Sequence, residues 1–395
     1  MLRSPVVDAD FGLTDEQRAV AGTVRSFAAE RVAPAAASNE DRHAFPRELF
    51  AELGRMGLCG IPFEEAYGGG GLDDLTYLVV LEELARGSLP LAVALSVHHL
   101  CAYGLHAFGS PELKHRLLPG LLSGDRLGAY ALSEATSGSD AASLRTRAER
   151  VGAGGWRLTG TKRFITHGGE ADVYLVMART GGPGAGGISA LAVEAGSPGL
   201  SFGKLEQKMG WGASPMRELV FDGCEVPEAN LVGEEGRGFS VALSALDGGR
   251  LGIAACSVGL ATAAFEASVA FASAREQFGA AVASFEGIQF VLADMATQIE
   301  AARRLYREAA RLRDAGGDVS LAASMAKLFA SDVAMHVATD AVQVHGGYGY
   351  VREYPVERYF REAKALQIVE GTNQIQRMLI GRRVTSVTST VSTTT

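Results

Sequence analysis

The chain has 395 residues, 47% of them hydrophobic and 21% charged, which is enough apolar side chain for a sizeable core and is not the composition of a disordered protein. Its 37 Lys and Arg against 45 Asp and Glu leave a net charge of −8 with no long basic run, so neither a nucleic-acid backbone nor an anionic membrane is expected as the main partner. Cys59, Cys101, Cys224 and Cys256 lie far apart without a CxxC pair, which points away from a zinc cage, any other metal centre or a disulfide framework and towards a reducing compartment. Asp8 and Asp10 fall where a signal peptide would need an apolar run, so a cytoplasmic location is expected.

Three composition zones follow one another, mostly α with a middle β domain. Residues 1–127 have a helical texture: Thr14-Asp15-Glu16-Gln17 forms a capping box ahead of Val20, Val24, Phe27 and Ala28, and Leu78, Leu81 and Leu84 repeat the spacing within 75–85. Gly68 to Gly71 could cradle a phosphate, but a turn between helices is the simpler expectation. The stretch from Gly87 to Pro111 carries no Asp, Glu, Lys or Arg, yet Pro90 and three histidines predict a buried helix pair there rather than a membrane span. Residues 128–240 change to short alternating runs at 172–178 and 188–193, separated by glycine-rich turns at 152–155 and 181–187, the pattern of a β domain. Residues 241–384 return to Ala-rich helical stretches at 253–275, 289–315 and 321–344, and 385–395 reads as a frayed tail. An α–β–α order with no GxGxxG opening a helix after a strand argues against a parallel Rossmann sheet.

Four segments could carry chemistry. In Val369-Glu370-Gly371-Thr372-Asn373-Gln374 the glycine permits a close turn that can push Glu370 into a cleft; the competing reading is a helix cap at Thr372 with Glu370 solvated. Tyr130 to Asp140, with Ser133, Gly138 and Ser139, suits a loop that presents N–H and O–H groups to an anionic or heteroaromatic ligand, or is a plain Ser/Thr-rich turn. Phe164 and Thr166 are expected to alternate onto one strand face, offering a ring to stack and a hydroxyl to bond a flat cofactor; a core-facing strand is the alternative. Arg275-Glu276-Gln277-Phe278-Gly279 and Gln343-Val344-His345-Gly346-Gly347 pair a planar cation with glycines that let backbone approach a ligand, while His345 is more simply a packing group than a base.

Taken together and in this order, these segments resemble the acyl-CoA dehydrogenase family from about residue 12 to about residue 384. The resemblance is carried by Ala131-Leu-Ser-Glu134 with Gly138-Ser-Asp140, Lys208-Met-Gly210, Gly236-Arg-Gly-Phe239, Leu246-Asp-Gly-Gly-Arg250, Arg275-Glu-Gln-Phe-Gly279, Gln343-Val-His-Gly-Gly347 and Glu370-Gly-Thr372. It implies an N-terminal helical domain, a β-barrel-like middle domain and a C-terminal four-helix bundle, with FAD as cofactor and usually a homotetramer. The reaction implied is α,β-dehydrogenation of an acyl-CoA, or carrier-protein, thioester, with electrons passed to an electron-transferring flavoprotein.

Carried over by position, Glu370 looks like the base that removes the α-proton. Leu132, Ser133, Phe164 and Thr166 match flavin contacts, Tyr130 and Gly138 match cofactor-binding positions, and Ser139 matches one near the pyrophosphate and the substrate; Arg275, Gln277, Phe278, Gln343, Gly346 and Gly347 match contacts to the adenosine and pyrophosphate half from a neighbouring subunit, and Thr372 and Gln374 match positions lining the cofactor. Asp247, Arg250, Val369 and Gly371 match positions near the bound thioester. Some members place the glutamate at the position of Gly249, which cannot be a base here. Val97 replaces a glycine of some medium-chain members and Ser96 a carboxylate they can carry, so a short or branched acyl chain is expected; Val369 stands where tyrosine often precedes the glutamate. The same fold also serves flavin oxidases and monooxygenases, and alkylation-response flavoproteins that bind nucleic acid, the last disfavoured by the negative charge.

Overall fold

The computed structural model describes residues 11–152 and 154–386, and the expected tail beyond 386 lies outside the described residues. Helix α1 (Asp15–Phe27) opens at the capping box, where Gln17 N–H donates to the Thr14 hydroxyl (3.2 Å) and Thr14 N–H to the Gln17 side chain (3.1 Å). A π turn at Ala28–Val32 leads into α2 (Ala33–Arg42), followed by α3 (Arg47–Arg55) and α4 (Asp74–Gly87). The glycine run packs as a turn between α3 and α4: a Cβ on Gly69 would stand 2.1 Å from the Phe63 carbonyl oxygen, which leaves no room for a phosphate cradle on that side.

The expected helix pair is instead one 20-residue helix, α5 (Leu89–Phe108), before α6 (Pro111–Leu122). Pro90 does not split it because it sits in the first turn, where a missing N–H breaks no helical bond. Eight strands follow: β1 (Gly128–Ala131), β2 (Arg147–Arg150), β3 (Gly155–Thr166), β4 (Val173–Arg179), β5 (Ile188–Glu194), β6 (Leu200–Phe202), β7 (Met216–Pro227) and β8 (Leu231–Val232). The rest comprises α7 (Gly238–Ala274), the short hairpin β9 (Glu276–Gln277) and β10 (Ala280–Ala281), then α8 (Glu286–Asp314), α9 (Ser320–His345), α10 (Val356–Leu366) and α11 (Asn373–Ser386). Thr385 and Ser386 therefore end a helix rather than begin a tail. Helices α5 and α7 are long and apolar enough to cross a membrane, but 72% and 78% of their most apolar windows are buried, as core helices are.

The described residues form two compact units that do not follow chain order. One takes in the segment up to Ser38, Asp74–Ala92 and the chain from Arg250; the other takes in Asn39–Asp73 and Val93–Gly249. The second is built on one sheet of order β6-β7-β3-β2-β4-β5-β8, mainly antiparallel, with β1 added parallel to β4. Leu105, Leu117 and Leu121 from α5 and α6 pack with Leu175, Met177 and Ile188 from β4 and β5. Buried His98 joins these layers, with its Nε2 3.0 Å from the Leu121 carbonyl and its Nδ1 accepting the Gly128 N–H (2.9 Å). Burial holds its pKa down to about 3, so the ring is neutral and the tautomer that donates through Nε2 is fixed.

The first unit is tied by buried charge. Glu82 on α4, 1% exposed, accepts from Arg303 Nε (2.8 Å), Arg307 Nη2 (3.4 Å) and the Tyr306 hydroxyl, all on α8, while Arg303 also donates to Thr262 on α7 (3.1 Å). Burial works to raise the Glu82 pKa, but the two guanidinium charges and these bonds override it and lower it to about 2. The start of α4 is capped from far along the chain: the Asp314 carboxylate accepts the N–H groups of Asp74 (2.8 Å) and Leu75 (3.2 Å). Glu82→Ala would leave two buried guanidiniums short of their anion, at a cost of about 3–5 kcal/mol by urea denaturation at pH 7. Because the folded pKa is depressed, the gap to wild type should narrow as pH falls from the ordinary carboxylate value of 4.5 towards 2.

Candidate active site

Glu370 lies in the six-residue connection between α10 and α11, and both it (φ +53°) and Gly371 (φ +90°) are left-handed. That backbone is costly for a glutamate, by about 1–3 kcal/mol, and persists only where neighbours over-determine it. Here they do. Gln376 Nε2 donates to the carbonyls of Glu370 (3.3 Å) and Gly371 (3.1 Å), and Lys327 Nζ on α9 donates to the Gly371 carbonyl (3.0 Å) and to Asn373 Oδ1 (2.8 Å). The φ of +90° favours glycine after the glutamate, and a Cβ there would stand 2.6 Å from Gln376 Nε2 and displace it.

The two readings of this segment turn out to be compatible in part. Thr372 does cap α11, accepting the Ile375 N–H at 3.3 Å, but Glu370 is not solvated. The residue as a whole is half-buried, while both carboxylate oxygens are sealed from solvent with no hydrogen-bond partner among the described residues. Burial therefore pushes its pKa up, against the opposing charges of Lys327 and Arg250, to about 7. A carboxyl poised there can exchange a proton with a bound molecule near neutral pH.

Val369 is half-buried beside Glu370 and Arg250 is buried on α7, so the unit brings together Arg250, Val369, Glu370, Gly371 and Thr372; Gln374 is exposed. Arg275, Gln277 and Phe278 stand together at the β9–β10 hairpin, Phe278 98% exposed, and Arg275 lies over the Tyr348 ring at 5.4 Å. Gln343, Gly346 and Gly347 are exposed at the end of α9 and just after it. His345 is a packing group: its ring stacks on Phe271 at 4.4 Å and its Nδ1 lies 2.7 Å from the Ala341 carbonyl.

In the other unit, Tyr130 donates its hydroxyl to the Ala242 carbonyl (3.3 Å), and the chain leaves β1 through Leu132 and Ser133 alongside β3, where Arg163 N–H donates to the Ser133 carbonyl (2.8 Å). Phe164 is exposed and Thr166 half-buried with Ile165 buried between them, and the irregularity in the strand falls just before this stretch. The register with β7 shifts between Lys162 and Ile165, and Phe164 takes φ +59°, so a bulge turns its ring outward to 54% exposure. Gly138 and Ser139 are exposed in the loop after β1, Asp247 and Val97 are half-buried, and Ser96 is buried. The hydroxyls of Ser133 and Thr166 make no hydrogen bond among the described residues.

Four positioning groups were not picked out from the sequence as site residues. Lys327 and Ser331, one turn apart on α9, hold Asn373, and Gln376 holds the corner itself. Lys162, 0% exposed, donates to the Leu132 carbonyl (3.0 Å) and to Glu134 (2.8 Å), whose carboxylate also accepts the N–H groups of Arg145 (2.7 Å) and Thr146 (2.9 Å). Burial lowers the Lys162 pKa to about 8 although Glu134 pulls the other way. A lysine amid Ala and Ser in an apolar stretch, or in a strand with alternating burial, was the available signal.

Family models describing the N-terminal, middle and C-terminal domains of acyl-CoA dehydrogenase match residues 14–125, 129–224 and 236–385. The chain is 49% identical over 372 residues to an acyl-CoA dehydrogenase of Bacillus subtilis (strain 168), covering 94% of this chain and 98% of that protein. It is 42% identical over 377 residues to the mitochondrial isobutyryl-CoA dehydrogenase of Bos taurus, covering 95% and 90%. The solved butyryl-CoA dehydrogenase from Megasphaera elsdenii superposes with a TM-score of 0.93 at 44% identity, over 95% of this chain and 99% of that one. The fold, the ordered motifs and these likenesses agree that the chain is an oxidoreductase belonging to the acyl-CoA dehydrogenase family.

Proposed function

We propose that the protein removes the α-proton of a short or branched acyl-CoA thioester with Glu370 while the β-hydrogen leaves as hydride, giving the trans-2-enoyl-CoA. The observation that carries this is the sealed, unpaired carboxylate of Glu370, raised to about pH 7 by burial. An α-proton beside a thioester is weakly acidic, so the site has to stabilise the developing enolate as the proton leaves. The Glu370 N–H has no acceptor among the described residues and is suited to the thioester oxygen.

The residues present fit FAD as the cofactor. Ser133 and Thr166 supply free hydroxyls, Phe164 supplies an outward ring on a strained bulge, and Arg275, Gln277 and Phe278 form an exposed group suited to the nucleotide half of a cofactor shared between subunits. Bound FAD would supply the two-electron acceptor that side chains lack. Lys162 and Glu134 fix the Leu132–Ser133 backbone, so those donors and acceptors are set before any ligand arrives. A cleft of about 750 Å³ lined by Asp140, Ser143, Arg145, Arg147 and Arg179 adjoins Ser139, and its exposed Arg145 and Arg147 suit the phosphates of CoA. Exposed Phe278, Phe290 and Tyr350 support assembly into a homotetramer, and an electron-transferring flavoprotein is the proposed acceptor.

The isobutyryl and butyryl names of the relatives, with Val97 and Val369 at the matched acyl positions, support a short or branched substrate. Glu370→Gln should keep FAD and acyl-CoA binding but slow anaerobic flavin reduction by about 10²–10⁴-fold; bleaching at the wild-type rate would remove Glu370 from its role. Across straight and branched acyl-CoAs, kcat/KM should peak at four or so carbons, roughly the difference one or two methylenes make in an apolar pocket, and a maximum on a long straight chain would refute the assignment. Since Glu370 must be ionised to accept a proton and its pKa is raised to about 7, flavin reduction should fall as pH drops through that value.

A further inference from the structure

Lys327 is a lysine with 0% exposure in the Ala-rich middle of α9, and that burial needs a reason. Its ammonium is bonded to neutral acceptors, the Gly371 carbonyl (3.0 Å) and Asn373 Oδ1 (2.8 Å), and no carboxylate pairs with it within 4 Å among the described residues. Gly371, whose carbonyl it holds, directly follows Glu370, whose carboxylate lacks any hydrogen bond and is acted on by the Lys327 charge. We propose that Lys327 is a positioning residue for Glu370: it holds the left-handed corner through the Gly371 carbonyl, and its charge keeps the unbonded carboxylate ionised enough to act as a base. This rests on Glu370 being the base and adds the group that makes it one.

The surroundings leave Lys327 as the main device. From α7, Arg250 also favours the ionised carboxylate and the buried Cys256 thiol stays neutral, its pKa driven up by burial and by Glu370. From α11, Asn373 and Gln376 are uncharged, and Arg377 is turned to Asp332 (2.8 Å). From α10 no charged group contributes to the Glu370 shift. Asp332, one residue after Ser331 on α9, favours the cationic form of Lys327, while burial lowers the Lys327 pKa to about 8. Asn373 is held in turn by Ser331 (2.9 Å) and Asp332 (2.7 Å), so the lysine's second acceptor cannot swing away.

The test is the protonation midpoint of the Glu370 carboxyl, read as the carboxylic C=O stretch in pH-difference infrared spectra of the holoenzyme, with Glu370→Gln assigning the band. Lys327→Met and Lys327→Gln should each raise the midpoint by about one unit or more, and the acid limb of anaerobic flavin reduction should move up with it, an extra loss of about tenfold at pH 6. Lys327→Gln keeps a donor for Gly371 and should retain a higher rate at the alkaline plateau than Lys327→Met; Lys327→Arg, which keeps the charge, should return the midpoint towards wild type. If the buried substitutions do not yield folded protein, Asp332→Asn at a half-exposed position lowers the Lys327 pKa and should raise the Glu370 midpoint in the same direction. An unchanged midpoint in the folded variants overturns the proposal. A band that survives Glu370→Gln, with turnover intact, overturns the assignment of the base instead.

Discussion

Taking an ionised carboxyl out of water costs several kcal/mol unless charges or donors replace the lost solvent. Glu370 has no donors on its oxygens, only the nearby cations of Lys327 and Arg250, and its pKa settles near neutrality as a result. Much of the surrounding architecture can be read as the means of keeping it there. The left-handed corner prevents the side chain from retreating into an ordinary helix, Gln376 and Lys327 occupy the carbonyls that would otherwise be orphaned, and α9 supplies the rigid rail on which Lys327, Ser331 and Asp332 are spaced. A carboxylate satisfied by hydrogen bonds would be more stable and a poorer base.

The other unit applies the same economy to backbone rather than to charge. Lys162 and Glu134 form a buried pair whose remaining bonds all go to main chain: Leu132, Arg145 and Thr146. A buried pair of this kind contributes little net stability against an apolar pair of similar size, but it specifies where its partners sit. Here it fixes the segment leaving β1 next to the Phe164 bulge, where an aromatic residue holds a strained left-handed φ.

The order of the helical and β segments, the capping box at Thr14 and the strands at 173–179 and 188–194 were legible because each depends on local periodicity. The turn at Glu370 and the Thr372 cap were legible because they are local as well, but the residues alone left a buried and a solvated Glu370 equally open, and the family resemblance singled it out. What escaped depended on contacts that no spacing reveals. The stretch 87–111 reads as a helix pair because the place of Pro90 within a first turn is not visible until the helix start at Leu89 is known. The bulge ahead of Ile165 escaped because it interrupts the two-residue period without altering composition. Lys327 and Lys162 were passed over because a lysine reads as solvated until its partners, 44 and 30 residues away, are seen to close over it.

The N-terminus of α4 takes its cap from Asp314, 240 residues later, and Glu82 in the middle of that helix takes its cations from positions 303 and 307. During ribosomal synthesis α4 therefore emerges with open N–H groups at one end and a carboxylate meant for burial at its centre, and neither is satisfied until α8 has been made. Most of the sheet-bearing unit, Val93–Gly249, is translated in the interval and packs with Asn39–Asp73, which is made before α4. Nascent α4 is thus an early segment that must wait in a hydrated state, and the chain has reason to complete its second-translated unit before its first.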